Sequence, residues 1–301
     1  MCESILGGKY YQGLYLTPHT RSKSIDISTL MAKVPEIKPR SFTEYVQEIE
    51  NLNASSTNPI WFRGTGKASY KLMPGLYRHA TKRTVADIAT LERDTMIRFR
   101  QRSIPFSDKS LHDDWDALFY MQHYRVPTRL LDWSENPFVA FYFSIMSAEF
   151  DVKRNGSRVY KEDAAIWVLD PAKWNRHALS HQSFDGGILV TKDTELIGYQ
   201  PTPNFSKMNN HAVALYGAHN SPRIVAQRGV FTIFGQNLEP MDEAYDKATF
   251  PDGSLRKIVL DKNILPALRR SILSYGITES VIYPDLDGLA AEMRREFGFE
   301  G

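Results

Sequence analysis

Residues 122–143, QHYRVPTRLLDWSENPFVAFYF, gather the side chains best suited to chemistry. Gln122, Thr128, Arg129 and Asp132 supply donors and acceptors, and His123 supplies an imidazole able to take or give a proton near neutral pH. Arg63 is a second centre, because a planar guanidinium meets phosphate oxygens two at a time. It follows the apolar run Ile60, Trp61 and Phe62, a predicted strand. It precedes Gly64 and Gly66, which permit a tight turn or a close approach to a ligand.

Each of these residues has a plainer reading beside the chemical one. Arg63 is a phosphate clamp or half of a strand-end ion pair. His123 is an acid, base or ligand contact, or the end of a helix. Arg129 and Asp132 read first as a local ion pair that stiffens the turn. Thr128 and Ser134 can donate to a phosphate or cap backbone, and Trp133 can fill core or stack on a ring. Gln227 can hydrogen-bond a ribose hydroxyl but cannot act as a base. Asp285 and Asp287 read as caps of a final helix.

The elements that must hold these groups follow from periodicity and capping. Ser41 followed by Glu44 is a capping-box pattern that opens a helix. A second helix is expected over residues 85–102, and a third begins at Asp113 or Asp114 and delivers Gln122 and His123 to its C-terminal end. The central polar turn lies between two segments that look helical. Asn136 caps the second, with Pro137 at its first position, where a missing amide costs nothing. Residues 149–163 read as a polar loop, AAIWVLDP as a buried strand stopped by Pro171, and 172–221 as an irregular excursion in which AVALYG is a short strand or helical turn. Residues 223–235 read as two strand runs broken at Arg228 and Gly229. SLRKIVLD reads as a strand, 263–276 as a helix, and 280–298 as a strand, a turn and a closing helix. Intermixed strands and helices without strict alternation predict an α+β fold, a mixed and mainly antiparallel sheet flanked by helices. Residues 1–40 read as an N-terminal arm and 41–301 as the folded domain.

Composition narrows the classes. With 42% hydrophobic and 12% aromatic residues, the 301-residue chain is a folder. Its 37 basic and 35 acidic side chains leave a formal charge of +2, so any polyanion must be met locally. The local excess is Arg78, Lys82, Arg83, Arg93, Arg98, Arg100 and Arg102 against Asp87, Glu92 and Asp94, either a solvated helix face or a surface that tracks phosphates. Cys2 alone makes neither an internal disulfide nor a thiolate cage, and P-loop, H-E-x-x-H and dinucleotide fingerprints are missing, so no metal is expected. A soluble, cytoplasmic protein without a membrane span is the expectation.

With FRG at 62–64, QHYRVPTRLLDWSENPFVAFYFS at 122–144, RIVAQRGVFTIFG at 223–235 and GITESVIYPDLDGLA at 276–290, the chain resembles the FRG domain family over roughly residues 40–297. A more distant likeness is to ADP-ribosyltransferases. These carry an early-strand Arg on the phosphates or ribose of NAD, a serine strand running into a helix, and a Glu on a later strand. Arg63-Gly64 is similar to the first element, Ser134 with Ala140 and Phe143 to the second, and the strand region of Gln227 to the third, with Gln in place of Glu.

The resemblance implies an ADP-ribosyltransferase-like fold and NAD as substrate. Arg63, His123, Ser134 and Gln227 would form the catalytic set, with Arg63, Gly64, Gln122, Thr128, Arg129 and Trp133 around the nucleotide. The implied acceptor is a macromolecule, RNA or single-stranded DNA ahead of protein, reached through Arg78, Lys82, Arg83, Arg98 and Arg102. A toxin in anti-phage defence, with a cognate antitoxin, is the implied setting. NAD glycohydrolysis and a non-catalytic nucleotide- or nucleic-acid-binding module are the alternatives.

Overall fold

A computed structural model describes residues 34–106, 111–201, 209–218, 221–247 and 250–299. The chain divides into two units, Met1–Met31 and Ala32–Gly301. The first unit, with Cys2 and most of the expected arm, lies outside the described residues.

The strands are β1 (Glu36–Ile37), β2 (Trp61–Thr65), β3 (Leu130–Ser134), β4 (Phe150–Val152), β5 (Arg158–Tyr160), β6 (Ala164–Leu169), β7 (Leu189–Val190), β8 (Val213–Tyr216), β9 (Gly229–Ile233) and β10 (Leu255–Leu260). The helices are α1 (Phe42–Ser55), α2 (Val85–Ser103), α3 (Asp114–His123), α4 (Pro137–Met146), α5 (Pro171–Ala178), α6 (Pro222–Ala226), α7 (Met241–Lys247), α8 (Leu265–Ser274), α9 (Glu279–Ile282) and α10 (Leu286–Glu296). One sheet has the order β1-β10-β6-β2-β3-β9-β8-β7, parallel only at β1/β10 and β7/β8. This is the expected α+β architecture with a mixed, mainly antiparallel sheet. Glu36 and Ile37, inside the span read as the arm, pair with Lys257 and Ile258 at the sheet's edge.

β6 sits inside the sheet and is buried at every position, because both faces are covered. Trp167 and Leu169 face one apolar cluster, shared with Trp61, Trp133, Trp174 and Phe231. Ala164, Ile166 and Val168 face another, built with Phe62 and with Tyr45, Phe141 and Leu268 of the helices. Period-two alternation thus sends neighbouring residues of β6 to opposite cores.

Caps account for the helix starts. Ser41, Asp113 and Asn136 accept from the backbone amides of Glu44, Trp115 and Phe138 respectively. Thr84 and Asp87 form a reciprocal box at α2. The carboxylate of Glu44 reaches the amide of Arg40, so that capping pattern closes one residue early.

Several expected elements take another form. LLDWS, placed inside a turn by its polar neighbours, is strand β3 in mid-sheet. Residues 149–163 contain the antiparallel pair β4/β5. The first of the two strand runs in 223–235 is helix α6, capped by Ser221 and started by Pro222. SVIY belongs to helix α9 instead of a strand. In both cases a run of four or five residues is too short for periodicity to separate strand from helix. Among the described residues, no helix is long and apolar enough to cross a membrane.

Gly64 and Gly66 let α4 lie directly on β2. A Cβ on Gly64 would stand 1.8 Å from the Ala140 carbonyl oxygen, and one on Gly66 would stand 2.2 Å from that of Ser147. The close approach expected of these glycines is therefore to a helix. Gly64→Ala is expected to cost about 3 kcal/mol or more, since backbone must move to admit the methyl group. Urea denaturation would measure it, and a change under 1 kcal/mol, about the ordinary cost of a tolerated core swap, would refute the packing account.

Candidate functional site

The sheet parts between β2 and β3. β2 pairs with β6 over five residues, and β3 with β9 over five, but β2 and β3 share only the pair Phe62 and Ser134. Continued register would put Gly64 opposite Asp132. Instead the strands diverge, and the Asp132 carbonyl accepts from Nη1 of Arg63, so a side chain replaces the lost ladder bond. The parting opens into a cavity of about 390 Å³, within the usual range of small-molecule sites.

Four arginines border it: Arg63 from β2, Arg78 from the loop after β2, Arg125 from the end of α3 and Arg223 from α6. Burial lowers the Arg63 pKa below its ordinary value; the Asp132 charge opposes this and Arg78 adds to it. The guanidinium keeps its proton in either case. Gln122, His123, Asp132, Ser134 and Gln227 are its other polar residues, and Phe143 and Phe231 are among the apolar groups.

A hydrogen-bond chain fixes the carboxylate. Thr128 Oγ1 accepts from the Leu130 amide and donates to Gln122 Oε1 at 2.6 Å, and Gln122 Nε2 donates to Asp132 Oδ2 at 2.9 Å. A buried hydroxyl thereby orients an exposed acid through one amide. The expected Arg129–Asp132 pair does not form. His123, the last residue of α3, holds Nδ1 within 3.3 Å of Ser221 Oγ and packs edge-on against Tyr124.

The remaining expected residues fall behind the cavity or turn away from it. Arg129, 1% exposed, is gripped by Glu92 at 2.9 and 3.0 Å and by the carbonyls of Phe234 and Tyr199, so each of its three nitrogens is engaged inside the protein, and it does not line the cavity. Thr128 is buried and does not line the cavity. Trp133 borders the cavity but is 3% exposed, with its indole N–H on Thr232, so most of its ring packs in the core. Ser134 borders the cavity, but its hydroxyl donates to the Gln227 carbonyl and accepts from the Asn136 amide. The Gln227 amide donates to the Ile282 carbonyl. Both residues line the cavity and use these bonds to brace its wall. Gly64 borders the cavity while its side-chain space is filled by α4.

The basic set also divides. Arg78 faces the cavity, Lys82 pairs with Asp87, and Arg83 bonds the Ala80 carbonyl. Arg98 and Arg102 border a separate groove along α2. Asp285 caps α10, as expected.

Arg125, Arg223 and the exposed acid Asp132 are the lining groups that sequence reasoning overlooked or assigned elsewhere. Arg125 left a trace. The helix ends at His123 with the Val126 amide on the Met121 carbonyl, a closure that wants glycine in the left-handed region. Arg125 occupies it at φ 60°, an unfavourable conformation kept where the side chain borders the cavity. Arg125→Gly is therefore expected to leave the melting temperature unchanged or raise it while weakening anion binding about tenfold, with inorganic pyrophosphate as the calorimetric probe. A lower melting temperature with unchanged binding would oppose this.

A family model described as FRG domain matches residues 58–152. The match supports the FRG reading of the blocks at 62–64 and 122–144; the blocks at 223–235 and 276–290 lie beyond it. It takes in Arg63, Arg78, His123, Arg125, Asp132 and Ser134, and stops short of Arg223 and Gln227. No curated protein and no solved structure matches the chain. Among the described residues, no group of three or more His, Cys, Asp or Glu is placed to hold a metal.

Proposed function

We propose that the cleft binds NAD and that the protein transfers its ADP-ribosyl group to a macromolecule. The observation that carries this reading is the convergence of Arg63, Arg78, Arg125 and Arg223 on one cavity that also holds an oriented carboxylate and an imidazole. Guanidinium forks suit a diphosphate. The three neighbouring strands fit the distant likeness in order: Arg63 on β2, Ser134 on β3 running into α4, and Gln227 just before β9.

In this reading the arginines hold the pyrophosphate. The bond between ribose C1′ and the nicotinamide nitrogen breaks with its electron pair going to nicotinamide, through an oxocarbenium-like state. Asp132, held by Gln122, lies against that positive charge and supplies the acid absent from position 227. A nucleophile on the acceptor bonds to C1′ and loses a proton, which His123 or Asp132 can take. Ser134 and Gln227 keep the β3–α4 wall in place. A toxin in anti-phage defence, restrained by an antitoxin, is the setting that the FRG resemblance suggests.

The test is incubation with NAD labelled on its adenylate, separately with RNA, single-stranded DNA and lysate protein. Label on a macromolecule is the expected result. Nicotinamide release without label would indicate water as acceptor, and neither release nor binding would leave a non-catalytic module.

A further inference from the structure

Two hollows adjoin the cleft, and they differ in charge. One, of about 810 Å³, shares His123, Arg125, Phe143 and Arg223 with the cleft, is also lined by Tyr124, and carries Asp285 and Asp287 on its far wall. The other, of about 560 Å³, runs along α2 and meets the cleft at Val126. Arg98 and Arg102 line it one helical turn apart, where like charges repel. Arg93 and Arg100 of the same helix pair with Asp94 and Asp114, whereas neither Arg98 nor Arg102 makes an ion pair among the described residues. The Arg93 contact also offsets the charge of Asp94, which borders this groove.

Aromatic rings continue from this groove to the cleft. Phe99 meets Tyr120 at 6.2 Å between ring centres, Tyr120 meets Tyr124 at 4.9 Å, and Tyr124 meets His123 at 4.7 Å. Tyr124, 57% exposed, presents its ring to solvent beside Arg125. Arginines that track phosphates, together with exposed rings on which bases stack, are what single-stranded nucleic acid requires and duplex does not.

Resting on the NAD reading of the cleft, we infer that the acceptor is a single-stranded nucleic acid. Its backbone passes Arg98 and Arg102, and its bases stack at Tyr124 before one enters the cleft at His123.

Fluorescence anisotropy with labelled oligothymidylate and oligouridylate, each against a duplex competitor, tests this without NAD; the two single strands separate DNA from RNA. The wild type should prefer a single strand to duplex. Arg98→Ala/Arg102→Ala should weaken binding about tenfold and flatten the log–log salt slope by about 1.4, the loss of two phosphate contacts. Tyr124→Ala should weaken it about tenfold while Tyr124→Phe binds as wild type. Absence of single-strand binding, or variants that bind like wild type, would overturn the inference. So would labelling of lysate protein that the arginine variants leave unchanged. NAD binding is titrated separately on the same protein. Its failure beside variant-sensitive oligonucleotide binding would support the path and overturn only the reading of the cleft.

Discussion

Arg63→Ala is expected to lower the rate of nicotinamide release at least about a hundredfold, the scale of losing one preorganised charge-stabilising donor set. The reason is double. Arg63 offers a fork to phosphate, and it also holds the two diverging strands in register by bonding the Asp132 carbonyl. The second role predicts only a modest loss of stability, about 1 kcal/mol, because the carbonyl of the exposed Asp132 can turn to water instead. Arg63→Lys keeps the charge without the planar fork, so it should remain folded and recover only part of the rate. Steady-state kinetics with thermal unfolding on both variants separates the roles. Retained turnover with a collapsed melting temperature would make Arg63 a strand-end brace alone.

The largest effect on stability is expected at Arg129. Its guanidinium joins Glu92 of α2 to the carbonyls of Phe234, after β9, and Tyr199. Arg129→Ala leaves Glu92, 3% exposed, as an uncompensated buried charge, which costs about 3–5 kcal/mol. For a chain of this size the melting temperature should drop by about 5–8 °C. The paired replacement Arg129→Met/Glu92→Leu removes both charges and should recover most of the loss, because buried ion pairs contribute little over apolar packing. Calorimetry of the single and double variants checks this. A double variant as unstable as the single would show that the carbonyl contacts, not the stranded charge, set the cost.

Local signals read well from the chain. The caps at Ser41, Asp113 and Asn136, the buried run of β6, and the helix that carries His123 to its end follow from side chains acting on their own neighbours. The cleft was legible in part: Arg63, Gln122, His123 and Arg78 all face it. What remained hidden depended on distant partners. Arg129 looks like a neighbour for Asp132, yet its partner Glu92 is on another helix. The Ser134 hydroxyl is taken by a carbonyl 93 residues away. Short apolar segments such as PRIVA and ESVI carry too few turns to declare a period, and burial decides them. The parting of β2 from β3, which creates the cavity, is a property of register that no single strand displays.

The position of a bound diphosphate tests the role of the cleft most directly. A crystal structure with ADP-ribose should place the pyrophosphate among Arg63, Arg78, Arg125 and Arg223, with the terminal ribose toward Asp132 and His123. Ligand bound elsewhere, or an empty cleft at saturating ADP-ribose, would contradict it.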